Sequence, residues 1–304
     1  MIRSECVIPE DLEEERLDKA MPVLIGEHSR TFFQKLIRDG QVQVNGKEIT
    51  KPGFVLHGED RVSFVLPEPV TPEIEPENIP LDILYEDDDL LIVNKPKGMV
   101  VHPAAGHAKG TLVGALMYHC KGQLSGINGV LRPGIVHRID KDTTGSLVVC
   151  KNDFTHNAIA EQLKDHSIER IYLAICHGHL PASEGTVETQ IGRDPKDRKK
   201  MAVVSSGGKR AVTHYRVLKT FRDTSYVACI LETGRTHQIR VHMAYLGHPL
   251  LGDDVYSHQK SPYHLQGQCL HAMRLGFIHP RTGERICVDA PLPDYFQHLL
   301  EIMP

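Results

Sequence analysis

Several things are absent from this sequence, and each absence removes a class of protein. No run of about 18 apolar residues occurs, so no segment reads as a membrane-spanning helix. The first twenty residues, MIRSECVIPEDLEEERLDKA, have neither a basic start nor an apolar stretch, which argues against a secretory or transit signal and sets the expectation of a cytoplasmic protein. The seven cysteines are an odd number and form no Cys-x-x-Cys pair, so reduced thiols are expected rather than a disulfide framework or a zinc site. The nineteen histidines include His177-x-His179 and the pair His237 and His242, but neither pair has an evident third and fourth ligand, and no metal is expected. There is no Gly-x-Gly-x-x-Gly after a strand-like run and no Gly-x-Ser-x-Gly. Ser206 to Lys209 ends in Gly-Lys, but Val203 stands where a phosphate-binding loop needs glycine. Nucleotide hydrolysis, dinucleotide redox chemistry and serine esterase chemistry all lose support. The net charge is -4, so any nucleic-acid binding must rest on local rather than overall charge.

The 304 residues suggest two domains. Residues 67–80, PEPVTPEIEPENIP, combine five prolines and four glutamates with few large apolar groups, a composition that blocks helix and central strand and favours an extended spacer. It divides a small domain, residues 13–66, from a large one, residues 81–304. In the small domain a short helix starts at Arg16 and is interrupted or restarted at Pro22. Ser29 is a candidate N-cap for a second helix, Arg30 to Arg38, which Gly40 ends. Val42 and Val44 then alternate with polar residues into the hairpin turn Asn45-Gly46, and residues 61–66 read as a closing strand. In the large domain the strand-like runs 90–95, 145–151, 170–178, 224–233 and 272–280 outnumber the helical patterns near 112–118, 154–164 and 237–246. This order predicts an α+β fold with a mixed, largely antiparallel sheet.

The densest polar motif is Gly134-Ile-Val-His137-Arg138-Ile-Asp140-Lys141-Asp142-Thr143-Thr144-Gly145, which runs directly into the apolar Leu147-Val148-Val149. A charged loop feeding a strand places Asp140 and Arg138 where a sheet end meets solvent, a common location for active sites. Nearby positive charge from His137, Arg138 and Lys141 favours the ionised carboxylate, which suits a nucleophile or base better than a general acid. A plain loop salt bridge accounts for this segment taken alone about as well.

The motif resembles the His-Arg-Leu-Asp-Lys-Asp-Thr-Ser-Gly signature of the pseudouridine synthases of the RluA/RluD type, with Ile139 for the leucine and Thr144 for the serine. Further segments of that family follow in order: Tyr85 to Gly98, Arg170-Ile171-Tyr172-Leu173-Ala174, and Leu231-Glu-Thr-Gly-Arg235-Thr-His-Gln-Ile-Arg-Val-His242. The small domain, through Arg16-Leu17-Asp18, Gln34 to Ile37, Gly40 and Val42 to Gly46, resembles the S4 RNA-binding domain. The resemblance implies an isomerase that turns uridine into pseudouridine within RNA and needs no cofactor. It makes Asp140 the catalytic carboxylate and Arg235 its ion-pair partner. Tyr172 becomes the residue stacked on the target base, and Arg138, assisted by His137, fills the gap left when that base is flipped out. It points to large-subunit (23S) ribosomal RNA or a pre-ribosomal particle as substrate, acted on by a monomer. Transfer RNA as substrate, or a catalytically silent assembly factor, are the alternatives.

Two basic regions fit an RNA partner. Arg30, Lys35, Arg38 and Lys47 lie on the second helix and hairpin of the small domain. Lys196, Arg198, Lys199 and Lys200 open a stretch from Arg193 to Arg222 that holds ten Lys/Arg and two Asp.

Overall fold

The computed structural model describes residues 2–25, 30–66, 74–103, 107–127, 133–197, 200–259 and 261–304. The chain divides into two compact units, Met1–Thr71 and Pro72–Pro304. No helix among the described residues is long and apolar enough to cross a membrane.

The first unit packs two helices, α1 (Leu17–Ile25) and α2 (Arg30–Arg38), on an antiparallel sheet of β1 (Ile2–Val7), β2 (Val42–Val44), β3 (Lys47–Glu48) and β4 (Arg61–Leu66), in the order β1-β4-β2-β3. α2 has the expected bounds, while the N-cap expected at Ser29 falls outside the described residues. Phe33, Leu36 and Ile37, spaced three and four apart, face the core with Leu17, Ala20, Met21, Val42 and Val44. The interruption expected at Pro22 does not occur. α1 continues through it, because buried Ala20 and Met21 hold the helix against the core and compensate the hydrogen bond that proline cannot make. Asn45 and Gly46 both have positive φ, as the tight two-residue turn between β2 and β3 requires. β1, which pairs along its whole length with β4, precedes the segment expected to form this unit.

The second unit is built on one ten-stranded sheet. Its strands are β5 (Ile83–Glu86), β6 (Leu90–Lys95), β7 (Thr144–Cys150), β8 (Glu169–His177), β9 (Glu184–Arg193), β10 (Met201–Val203), β11 (Lys209–Thr220), β12 (Thr224–Leu231), β13 (Leu270–Ile278) and β14 (Arg285–Asp289). The order is β10-β9-β11-β12-β8-β13-β7-β6-β5, with β14 paired to β13. Among the described residues every strand pairing in this sheet is antiparallel except that of β13 with β7. Among the described residues four helices accompany the sheet: α3 (Leu112–His119), α4 (Asp153–Lys164), α5 (Gln238–Tyr245) and α6 (Asp294–Ile302). The fold is therefore mixed α+β and largely antiparallel, as the strand-rich pattern implies. β6 and β7 carry the unbroken apolar runs Leu90 to Val93 and Leu147 to Cys150 because the sheet is covered on both faces there. Leu91, Val93, Leu147 and Val149 enter one core, while Leu90, Ile92, Val148 and Cys150 enter another. All seven cysteines are free thiols, in accord with their scattered spacing.

The latter half of the proline-rich stretch is docked on the second unit rather than free. Ile74 joins its core, Glu75 pairs with Lys109, and the Glu77 carboxylate accepts the Gly110 N–H at 2.9 Å.

β13 changes partner along its length, and this positions the site. Its first residues run parallel to β7, pairing His271 with Thr144 and Ala272 with Gly145, and from Arg274 onward it pairs with β14 instead. The far half of β7 is left with an open edge. Gly145 sits at the crossing with φ +108°, where a Cβ would collide with the Ala272 carbonyl.

Candidate active site

The open edge of β7 is filled by the segment that leads to Asp140. The Cys150 N–H donates to the Gly134 carbonyl at 2.9 Å, Ile135 bridges Val149, and the Val148 N–H donates to His137 Nε2 at 3.1 Å. The chain then turns at residues 140–143, where the Thr143 N–H donates to the Asp140 carbonyl, and re-enters as β7. Asp140 stands at the tip of this return. Lys95, fully buried at the end of β6, braces the turn from behind. Its three ammonium N–H groups match three carbonyls, those of Pro96 and Met99 at 2.8 Å and Lys141 at 2.9 Å. Burial nonetheless pushes the lysine down to about 7, against the opposing charges of Asp142 and Asp140. Gln268 adds a hydrogen bond to Thr143 Oγ1.

In front of Asp140 opens a cleft of about 620 Å³, lined among others by His102, Arg138, Arg170, Tyr172, Arg235 and Arg240. The Asp140 side chain is 17% exposed, so it is held by the protein yet open to a ligand. Its ion-pair partner is Arg240, whose Nη1 donates to Oδ2 at 2.9 Å. The rest of that guanidinium grips buried Asp253 in a fork, Nε to Oδ2 at 2.7 Å and Nη2 to Oδ1 at 2.9 Å. Burial opposes the charge on Arg240, but Asp253 and Asp140 outweigh it and hold the guanidinium above its ordinary range. Asp253 is fixed in turn by the N–H groups of Val255 and Tyr256. His237 Nε2 lies 3.8 Å from Asp140 Oδ1. Its Nδ1 is 2.8 Å from the Tyr256 hydroxyl, which already accepts the Met201 N–H. That hydroxyl is therefore free to donate to Nδ1, which leaves the ring proton on the nitrogen facing Asp140.

This arrangement corrects the pairing expected for Arg235. That side chain lines the cleft, but its Nε donates to the Arg210 carbonyl at 2.9 Å, and Asp140 is paired with Arg240 instead. Arg235 lies in the turn before α5, whereas Arg240 lies in its first turns, where Gln238 through Met243 are all buried. The motif offers two arginines five residues apart, and only the start of the helix decides which reaches the carboxylate. Tyr172, on β8, lines the cleft and is almost fully buried, which pushes its phenol up. Arg138 is exposed at the cleft margin. His137 serves the backbone of β7, and burial followed by the charge of Arg170 pulls it down to about 3. The half-buried ring also lines the cleft next to Arg138, so it stands where the expected role beside the flipped base would need it. Arg240, Asp253 and Lys95 were given no role from the sequence, and His237 was weighed only as half of a metal pair, since their partners are distant along the chain until it folds.

The basic residues also divide. In the first unit Arg30, half exposed, is tied at 2.8 Å to buried Asp18, while Lys35, Arg38 and Lys47 are exposed and make no ion pair among the described residues. In the second unit Lys196 is exposed in the turn between β9 and β10, and Lys200 donates to the Val255 carbonyl. Arg198 and Lys199 fall outside the described residues. Lys209, Arg210, Arg216 and Lys219 lie on β11 itself.

Among the described residues one trio has metal-ligand spacing, Asp87, Asp89 and His279. Its oxygens are already used. Arg281 and Asn152 occupy Asp89, while the Tyr85 hydroxyl and two backbone N–H groups occupy Asp87. The trio ties the β5–β6 turn to the end of β13 and does not fit a cation.

Residues 89–245, the span carrying Asp140, Tyr172 and Arg240, match the model of the RNA pseudouridylate synthase family. The chain belongs to that family. Residues 15–62 match the S4 domain. The chain is 51% identical to an uncharacterized RNA pseudouridine synthase, YlyB, of Bacillus subtilis, covering 96% of this chain and 95% of that one. It is 48% identical to the ribosomal large subunit pseudouridine synthase D of Zymomonas mobilis, covering 100% and 98%. Among solved structures, human RNA pseudouridylate synthase domain containing 1 superposes with a TM-score of 0.58 at 28% identity, over 75% of this chain and 87% of that one. This RNA pseudouridylate synthase is an isomerase acting on RNA, and its family signature coincides with the Asp140 cleft.

Proposed function

We propose that this synthase converts uridine to pseudouridine in large-subunit ribosomal RNA, with Asp140 as the reacting carboxylate. One observation carries the reading of the site: a single partly open carboxylate, ion-paired on one side to a buried arginine, at the head of a cleft large enough for a nucleoside. The isomerisation breaks the C1′–N1 bond, turns the uracil, joins C5 to C1′ and moves the C5 proton away. It is redox-neutral and donates no group, so carboxylate chemistry suffices without a cofactor. Arg240 aims Asp140 through its charge-assisted hydrogen bond, and it is itself fixed by Asp253. Tyr172 offers a ring face to the base. Arg138, at the cleft margin, occupies the stack vacated by the flipped nucleotide, whose extrusion costs a few kcal/mol. The S4 unit supplies sequence-independent phosphate contacts through Lys35, Arg38 and Lys47. The named ribosomal relatives favour large-subunit RNA over transfer RNA.

The test uses ribosomal RNA from cells lacking the gene, incubated with wild-type protein or Asp140→Ala and mapped for pseudouridine by chemical labelling and primer extension. New stops with wild type alone are expected. Binding without stops from either protein overturns the ribosomal RNA reading, and the same assay on transfer RNA then decides the alternative. Release of free uracil would mark a glycosidase instead.

A further inference from the structure

One more arginine of the cleft, Arg170, has no place in the scheme above. Arg170 lies on β8 two residues before Tyr172, so the two side chains share a face of the sheet. It is 6% exposed and lines the cleft. Its Nη2 donates to the Glu232 carbonyl at 2.9 Å, and its buried Nε has no partner among the described residues. No carboxylate pairs with it among the described residues. Burial disfavours its charge most, Tyr172 partly offsets this, and the like charge of Arg235 opposes it again. Its Nη1 lies 2.6 Å from where a Cβ on Gly234 would stand, so the missing side chain of that glycine is what admits the guanidinium to this position. An uncompensated buried cation costs several kcal/mol. Neither fold nor packing recovers that cost here, which points to a ligand that brings the missing negative charge.

We propose that Arg170 is a catalytic residue that holds the departing uracil as its anion. The inference rests on the reading of the cleft as the isomerisation site. When the C1′–N1 bond breaks, its electron pair leaves with N1 and the ribose carbon is taken up at Asp140. The negative charge on the freed ring spreads from N1 onto O2 and O4. A base lying against Tyr172 turns a carbonyl edge along β8 toward Arg170, whose free N–H groups donate to that oxygen. The charge is neutralised again when C5 bonds to C1′, the carboxylate is released, the C5 proton departs and N1 takes up a proton. The donor is thus matched to charge that exists only between the two bonds. Such an interaction accelerates the reaction without tightening the binding of the uridine.

The experiment compares wild type, Arg170→Lys and Arg170→Met in single-turnover pseudouridine formation at saturating enzyme. RNA affinity is measured across salt, and thermal melting is recorded. The expected result is a rate about 10²–10³-fold lower in R170M and partly restored in R170K. Affinity and its salt slope stay unchanged, and the melting temperature is no lower than wild type, because an unpaired buried charge has been removed. With 5-fluorouridine at the target, the better leaving group needs less help, so the R170M defect in breaking the N1 bond shrinks. An unchanged rate with weaker, less salt-dependent binding would make Arg170 a phosphate contact and overturn the proposal. A lower melting temperature with equal defects on both substrates would make it a strut for the Glu232 turn. A wild-type protein that forms no pseudouridine in this RNA instead overturns the reading on which the proposal rests.

Discussion

At the residue scale, the two arginines of the Thr-Gly-Arg-Thr-His-Gln-Ile-Arg segment separate the contributions of sequence and fold. Arg240→Met leaves Asp253 buried without its partner, and breaking a buried pair in this way costs about 3–5 kcal/mol. Arg240→Lys keeps a charge but cannot reach Asp140 and both oxygens of Asp253 together, so the rate falls while the protein stays folded. Arg235→Lys keeps a cation at the cleft wall and leaves the Asp140 pair intact, so its effect falls on RNA affinity. Thermal melts with single-turnover rates and binding on the three variants check this order. Asp18 gives a pH prediction. Burial raises its pKa, but hydrogen bonds from Gln34, Arg16 and Arg30 prevail and hold it at about 2. A depressed carboxylate stabilises the fold above its unfolded value near 4, and that contribution is lost as pH falls through about 2. The increment is about 2 kcal/mol, and Asp18→Asn forfeits it at neutral pH. Hydrogen exchange of peptides covering α1 and α2 in the full chain reads the change.

At the element scale, the site depends on how β6, β7 and β13 meet. The strands were legible in the sequence because their apolar runs are continuous, and the hairpin was legible because Asn45-Gly46 allows few other conformations. The partner change of β13 was not legible, since no local pattern marks where one strand yields to another. Nor was the bracing of the Asp140 turn by Lys95, a lysine that reads as a surface residue until its three carbonyl acceptors are assembled from two segments. Lys95→Met leaves those carbonyls without donors, at about 1–3 kcal/mol for each group left buried and unpaired. The rate is expected to fall about 10²-fold through displacement of Asp140, with RNA affinity kept. Single-turnover kinetics with exchange protection at residues 96–99 check both parts. Gly145→Ala is expected to fail earlier, at folding, because positive φ and the Ala272 carbonyl both exclude a Cβ. The yield of soluble protein measures it.

At the scale of the whole molecule, RNA affinity is an electrostatic matter in a chain whose net charge is -4. Exposed Lys35, Arg38 and Lys47 contact phosphate in the proposed scheme, whereas Arg30 does not because Asp18 holds it. Replacing the three by glutamine therefore lowers the slope of log affinity against log salt by about 0.7–0.9 per lost contact. Arg30→Gln destabilises the small unit and leaves the slope unchanged. Filter binding between low and moderate salt distinguishes the two. The sequence by itself determined the α+β class, the RNA partner and Asp140 as the candidate carboxylate, because strand patterning is local and the motif around Asp140 is contiguous. Only the tertiary structure decided which arginine holds Asp140, that His137 receives a backbone N–H of β7 and that Arg170 is a buried cation without a counter-charge among the described residues. Pairing and burial belong to residues distant along the chain, and their energies do not exist until the sheet brings those residues together.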